Sequence, residues 1–322
     1  MIHARQRGIA LLVAIVMFAI ATTVAAAITY NKAMAARRAA ATFTLEQALQ
    51  AGMAAEALAA IALEDDGKNS KTTLDKSWSE PLGPVEIEGT GIWIQAQVED
   101  LTSRFNLNSL VKWSGPPDNV FVTNNEQVQV FRKLLETLKI DQNFADLMVD
   151  WIDTDIAPQA TSGGEDTLYL TQNPPYRPPN TFIMHPSEIL AMPGFGAERY
   201  ALLAPYITAL PVDTKVNPCT ASGLVLDVSM NDPQNEQEFQ LQDMTAVRKG
   251  GSCNNTTASV VTSRIGDATL KGLALARFDE KSSWFRLRTN IRIGTAEFVL
   301  YSVLFRQQNN RVRTVQRSFG SE

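Results

Sequence analysis

"RQRGIALLVAIVMFAIATTVAAAITY", residues 5–30, is the stretch on which the fold turns. Two arginines and a glycine precede twenty residues, 9–28, that carry no charge. A short basic start, an apolar run and the small residues Ala25-Ala26-Ala27 also describe a secretory signal, cut to leave Ile28 first. The residues beyond Ala27 argue against a cut there. Residues 9–50 contain neither Gly nor Pro, and "ITYNKAMAARRAAATFTLEQALQ" is rich in Ala, Leu, Gln and Arg, all good helix formers. The pattern predicts one helix from about residue 9 to about residue 63, apolar in its first third and amphipathic after it. Twenty apolar residues suffice to cross a bilayer core of roughly 30 Å. Arg5 and Arg7 then stay on the cytoplasmic side.

Outward from the helix, Glu64-Asp65-Asp66-Gly67 marks its stop, and the polar, turn-rich residues 67–84 read as a loop. "GIWIQAQVED" (91–100) alternates as a strand, with Ile92, Ile94, Ala96 and Val98 on one side. Over 125–153 the period becomes helical. Val128, Phe131, Leu134, Leu135 and Leu138 form one stripe; Phe144, Leu147, Met148, Trp151 and Ile152 form a second after a break at Ile140-Asp141. Helical spacing recurs over 187–210, interrupted by "PGFG". The chain closes in strands: "SWFRLRTNIRIG" sets Phe285, Leu287, Ile291 and Ile293 on one face, and a hairpin turns near 307–310. A helical block between two β segments predicts an α+β fold, its sheet packed on the long helix and the block inserted.

Arg7-Gly8 before an apolar run, with a long helix entering a globular domain, resembles the start of type IV pilins and type II secretion pseudopilins. In that family a prepilin peptidase cuts after the glycine and methylates the new amino terminus, which makes Ile9 the first mature residue here. Most members carry Glu five residues into the mature chain, where this sequence has Val13. That departure marks the K-type minor pseudopilins. "SRFNLNSL" (103–110), "DWIDTD" (150–155), "GGEDTLY" (163–169), "PYRPPN" (175–180), "SEILAMPGFG" and "YITALP" are similar to K-type motifs in the same order. A further "NxNTA" motif stands as "NPCTA" (217–221), with Cys219 in place of an Asn. The resemblance implies a leader at 1–8, a membrane-spanning part at 9–28 and a pilin-like helix and first strand region at 29–100. A mostly α-helical insert occupies 101–220, and the rest of a pilin-like domain, with its small antiparallel sheet, 221–322.

The formal charge is −5, or −7 once Arg5 and Arg7 leave with the leader. Phosphate recognition needs a basic footprint, so the composition excludes nucleic acid as the natural partner. Of the two cysteines, Cys219 and Cys253, a periplasmic location favours a disulfide; two unpaired thiols are the alternative.

The acidic cluster Asp150, Asp153, Asp155, Glu165 and Asp166, with Asn180 nearby, sits in a loop short of apolar residues. Calcium takes six to eight oxygen ligands from such irregular loops, and a cation gives the loop a fixed shape. Helix caps and solvated loop acids are the plain alternative; paired acid/base carboxylates are a third, without a visible nucleophile. The K-type resemblance implies calcium here.

"MPGFGAERY" is similar to a helix-hairpin-helix turn, whose N–H groups hold phosphate in nucleic-acid proteins. Its other reading is a glycine turn between packed helices, with Ile189, Leu190, Leu202 and Leu203 as core. His185, the one histidine left after leader removal, has no Cys/His cluster around it in sequence and predicts no zinc site. No G-x-S-x-G, Walker A or C-x-x-C motif occurs.

The resemblance implies a non-enzymatic subunit at the tip of a periplasmic pseudopilus, held in the inner membrane by one span with its C-terminal domain in the periplasm. The expected partners are the other minor pseudopilins, the major pseudopilin, the prepilin peptidase and, as a further candidate, the secreted cargo. The competing expectation is a periplasmic binding or enzymatic protein, released by signal peptidase or held by an uncleaved anchor.

Overall fold

The computed structural model of the chain describes residues 7–117, 120–230, 253, 265 and 268–320. Helix α1 runs without a break over Arg7–Asp66, 60 residues, about 90 Å at 1.5 Å per residue. It passes through Ala25–Ala27 because nothing there competes for the backbone. Its N-terminal part is exposed, and among the described residues it is the single helix long and apolar enough to cross a membrane. Further on, Ala48, Ala51, Ala55, Ala59 and Leu63 recur at three- and four-residue spacing and are buried. Gly52 lies in the same stretch, and a Cβ there would stand 2.3 Å from Leu300 Cδ2. The Leu300 side chain therefore occupies the space that a side chain at this point of the helix would take.

After α1 come strands β1 (Leu82–Ile87) and β2 (Ile92–Asp100). The intervening block holds short strands β3 (Phe105–Asn106), β4 (Val111–Trp113), β5 (Phe121–Thr123) and β6 (Ile207–Thr208). Its helices are α2 (Asn125–Thr137), α3 (Phe144–Ile152), α4 (Asp166–Tyr169), α5 (Gly196–Leu203), α6 (Gly223–Ser229) and α7 (Ala268–Ala276). The chain returns in β7 (Trp284–Ile293), β8 (Ala296–Arg306) and β9 (Val312–Phe319). The main sheet has the order β1-β2-β7-β8-β9 and is antiparallel at every pairing. Asp100 at the end of β2 lies opposite Phe285 at the start of β7, so the insert leaves and rejoins the sheet at one place.

Three apolar clusters result. The alternating faces of β2 and β7, with Leu300 and Leu304 of β8, close on α1 and Trp78. Phe105, Leu107, Phe131, Leu134, Met148, Phe195 and their neighbours form the insert's own core. Val216, Ala221, Val225, Leu226, Met230, Ile265, Ala274 and Phe278 form a third. The domain boundary expected between 220 and 221 falls inside that third cluster, so the chain rejoins the sheet only near residue 284.

Several local expectations change. The segment 67–84 is not wholly loop: Trp78 is buried and packs edge-on against Phe285 at 5.5 Å, and β1 begins at Leu82. That strand is almost wholly exposed and contains Pro84, the profile of an edge strand without alternation. The helical spacing over 187–210 resolves into a 3-10 turn at Pro186–Ala191, then α5, then β6, which pairs in parallel with β3. Ile189 and Leu203 are core, as expected, but Leu190 and Leu202 are 42% and 55% exposed, because so short a helical pair presents only one narrow buried stripe.

A buried polar network ties the clusters together. Arg306 bonds Asp66 at 2.8 Å, the Leu63 carbonyl at 3.1 Å and Thr72 Oγ1 at 2.6 Å, and also donates to the Ser282 carbonyl. Asp100 accepts from Thr102, Thr220 and Ser282 hydroxyls at 2.5–2.6 Å. Asn217 of the "NPCTA" motif bonds Ser282 Oγ at 2.7 Å and the Thr72 carbonyl at 3.1 Å. The end of α1, the start and end of the insert, and the start of β7 therefore share one hydrogen-bonded junction, closed to water.

Candidate metal centre

Helix α3 carries Asp146 and Asp150 one turn apart, on the same side, and ends at Asp153, its C-cap. Asp146 is satisfied locally: Arg132 and Ser162 Oγ each donate to it at 2.5 Å. Asp150 shapes the loop, accepting from the Gln159 and Gly164 N–H groups at 2.9 and 2.7 Å. Gly163 is needed for this, since a Cβ there would lie 2.3 Å from Asp150 Oδ2.

The loop brings Glu165, the N-cap of α4, back to Asp150 and Asp153. One carboxylate oxygen from each of the three lies within 4.8 Å of the others, and all three residues are buried. Asp153 Oδ1, Glu165 Oε1 and the nearby Tyr169 hydroxyl are buried without a hydrogen-bond partner. Burial first pushes the Asp150 carboxyl up to about 6, against the Gln159 and Gly164 N–H groups and with the charges of Asp146 and Asp155; burial and then the surrounding carboxylates push those of Asp153 and Glu165 up to about 7. Three buried carboxylates face one another, and among the described residues no cation pairs with them.

The other expected residues divide. Asp155 is exposed but close enough to raise all three pKa values. Its backbone carbonyl accepts from Asn180 Nδ2 at 3.0 Å, while Asn180 Oδ1 is buried without a partner. Asn180 sits at φ 46°, a left-handed conformation that turns the chain there. Asp166 stands apart from the triplet and faces Arg177 at 3.5 Å. Tyr169 escaped the sequence reading as a site residue because an aromatic after an acidic run reads as core; burial first, then Tyr176, Asp150 and Glu165, raises its phenol well above the usual range.

The donors are all oxygens, several lack partners, and the carboxylates repel in their absence. That set fits a hard cation with oxygen ligands and does not fit zinc. His185 is elsewhere: its Nδ1 accepts from the Ser187 N–H at 3.2 Å as an N-cap, and among the described residues it belongs to no metal-ligating cluster. Cys219 and Cys253 are joined as a disulfide, Cα atoms 5.3 Å apart across a separation of 34 residues. Val13 is half exposed on the apolar part of α1, with Ile9 four residues before it; residues 1–6 of the expected leader lie outside the described residues.

A family model described as type II secretion system, protein K, matches residues 103–212, the stretch holding the acidic site. The type II secretion system protein K of Aeromonas hydrophila is 30% identical, covering 98% of this chain and 98% of its own length. That of Pseudomonas aeruginosa is 29% identical over 98% of this chain and 93% of its own. Among solved structures, a chain in the crystal structure of the GspK-GspI-GspJ complex from enterotoxigenic Escherichia coli superposes with a TM-score of 0.70. At 21% identity it covers 88% of this chain and all of its own, a likeness of fold. With a relative at 30% identity matched from end to end, and the insert's motifs matched separately, the chain belongs to the type II secretion system protein K family.

Proposed function

We propose that this chain is a minor pseudopilin at the tip of the type II secretion pseudopilus, a structural subunit that starts or caps assembly and so helps export folded proteins. One observation carries the reading: a membrane-length apolar helix continues unbroken into the helix face that packs the sheet. A cleavable signal would end in an extended segment, whereas a filament subunit needs one continuous rod from bilayer to domain.

Processing after Gly8 then leaves Ile9 as the first residue and the globular part in the periplasm. Intact-mass measurement of the membrane-extracted chain tests it: a start at Ile9 with a methyl group is expected, and a start at Ile28 overturns the reading. The tip assignment rests on Val13 and on the insert. A positive amino terminus inside an apolar bundle is costly, and valine offers a neighbour's amine no counter-charge. The insert adds a second core beside the first, a bulk that obstructs stacking above it. Label on the insert found along the shaft, and not at one end, sinks the assignment.

The partners follow from the same reading: sister minor pseudopilins of the I and J types, the major pseudopilin and the prepilin peptidase. Co-purification of the full chain with its I and J counterparts tests the first.

For the acidic site we propose calcium, held by Asp150, Asp153 and Glu165, with Asp155 and Asn180 as further oxygen donors. Bound there, the ion supplies the positive charge the three carboxylates lack. Those residues then link the end of α3 to the start of α4 across a loop with little apolar packing of its own.

A further inference from the structure

A cleft of about 910 Å³ opens between the insert and the face of the sheet turned away from α1. Its size falls within the range of small-molecule sites, roughly 300–1,000 Å³. Two aromatic walls line it. On the insert side Trp113, Phe121 and Phe182 form a chain of ring contacts, centroids 4.9 and 4.5 Å apart. On the sheet side stand Trp284 and Tyr301.

Polar groups of one kind converge on the cleft. Arg104 and Arg286 both line it and bond the same oxygen of Glu99, at 2.9 and 2.6 Å. His185 lines it as well. Its Nδ1 accepts the Ser187 N–H, which leaves the neutral ring's proton on Nε2. Tyr200 adds a phenol. These are donors of the sort that recognise a carboxylate, and the one lining acid, Asp213, is exposed. The local field agrees: burial first and Arg286 second lower the pKa values of Arg104 and of His185. An anion here would relieve both.

We infer that this cleft binds a small organic anion with an aromatic or aliphatic body, its carboxylate on Arg104, Arg286, His185 and Tyr200 and its apolar part between the two aromatic walls. The cleft is separate from the acidic site: its charge preference is opposite, and it shares no residue with that cluster.

The test is calorimetric titration of the full chain in nanodiscs with 1-naphthylacetate and with its neutral amide, empty nanodiscs serving as reference. The acid should bind at one per chain and at least about tenfold tighter than the amide, the scale of a charge-assisted hydrogen bond. Arg104→Met should bring the acid to the level of the amide. Val303→Trp, which fills the cleft from the sheet side and leaves the polar group in place, should remove both, with the melting temperature confirming the fold. Equal affinity for acid and amide, or heats no greater than empty nanodiscs give, overturns the site. A tripeptide ending in Trp with a free carboxylate is the third ligand; tighter binding of that peptide than of naphthylacetate overturns the small-anion assignment in favour of a polypeptide end.

Discussion

The helix–sheet core and the acidic site of the insert both bury carboxylates, and they treat them in opposite ways. In the core two acids meet a cation from the same chain, Asp66 with Arg306 at 2.8 Å, both 2% exposed, and Glu56 with Arg317 at 2.7 Å, while Asp100 is held by three hydroxyls. In the acidic site the charges that act on Asp150, Asp153 and Glu165 are those of other carboxylates. Burial pushes Glu56 up, but hydrogen bonds from Arg317, Ser302 and Thr314 outweigh it and hold the carboxyl below its ordinary value. In the triplet burial and repulsion act together, and the carboxyls rise to about 6–7. A buried charge that the chain neutralises is part of the fold, whereas one left without a partner points to something outside it.

The sharpest way to break this comparison is at Arg306. Replacing it by Met leaves Asp66 buried and unpaired and should cost about 3–5 kcal/mol, read by denaturant unfolding. A loss under about 1 kcal/mol would show that the pair is no more than a surface ion pair in effect. Reducing the Cys219–Cys253 bond should cost up to about 4 kcal/mol through the 34-residue loop it closes. That loss should be borne by the third cluster and leave the calcium response of the insert intact, as hydrogen exchange would report.

Calcium at a hundredfold excess over its dissociation constant should stabilise the insert by about 2.7 kcal/mol. Asp153→Asn should abolish that gain and, in chelator, raise the melting temperature, because it removes one repelling charge and no internal partner. If the same substitution lowers stability in chelator, the triplet is internally compensated after all. The smallest effect expected is Glu56→Gln, about 1–2 kcal/mol, reduced because Arg317 is 42% exposed. Since the folded pKa of Glu56 lies below its ordinary 4.5, the stabilisation is complete above that pH and fades as the pH falls through the folded value. The wild type should therefore lose stability on acidification more steeply than Glu56→Gln, and parallel acid limbs would contradict the assignment.

Much of this was legible in the chain itself wherever the signal is local and periodic. The unbroken helix needs only the absence of Gly and Pro and a run of good helix formers, so its course from the apolar stretch to the sheet was set before any tertiary contact. The alternation of Ile92, Ile94, Ala96 and Val98 likewise announced a one-sided strand, and those residues face the core. The acids of the insert were visible as a crowd. Which of them share a site was not, because Asp166 and Glu165 are neighbours in sequence yet point to different partners, Arg177 and the triplet. β1 was hidden because an exposed edge strand carries no alternation. The junction of Asp66, Thr72, Asp100, Asn217, Ser282 and Arg306 was hidden for a stronger reason: its members come from five separate stretches, and single buried polar residues have no period to read. Local propensity and patterning determined the elements; only packing, by removing water from groups far apart in the chain, decided which charges would be paired and which would face their own kind.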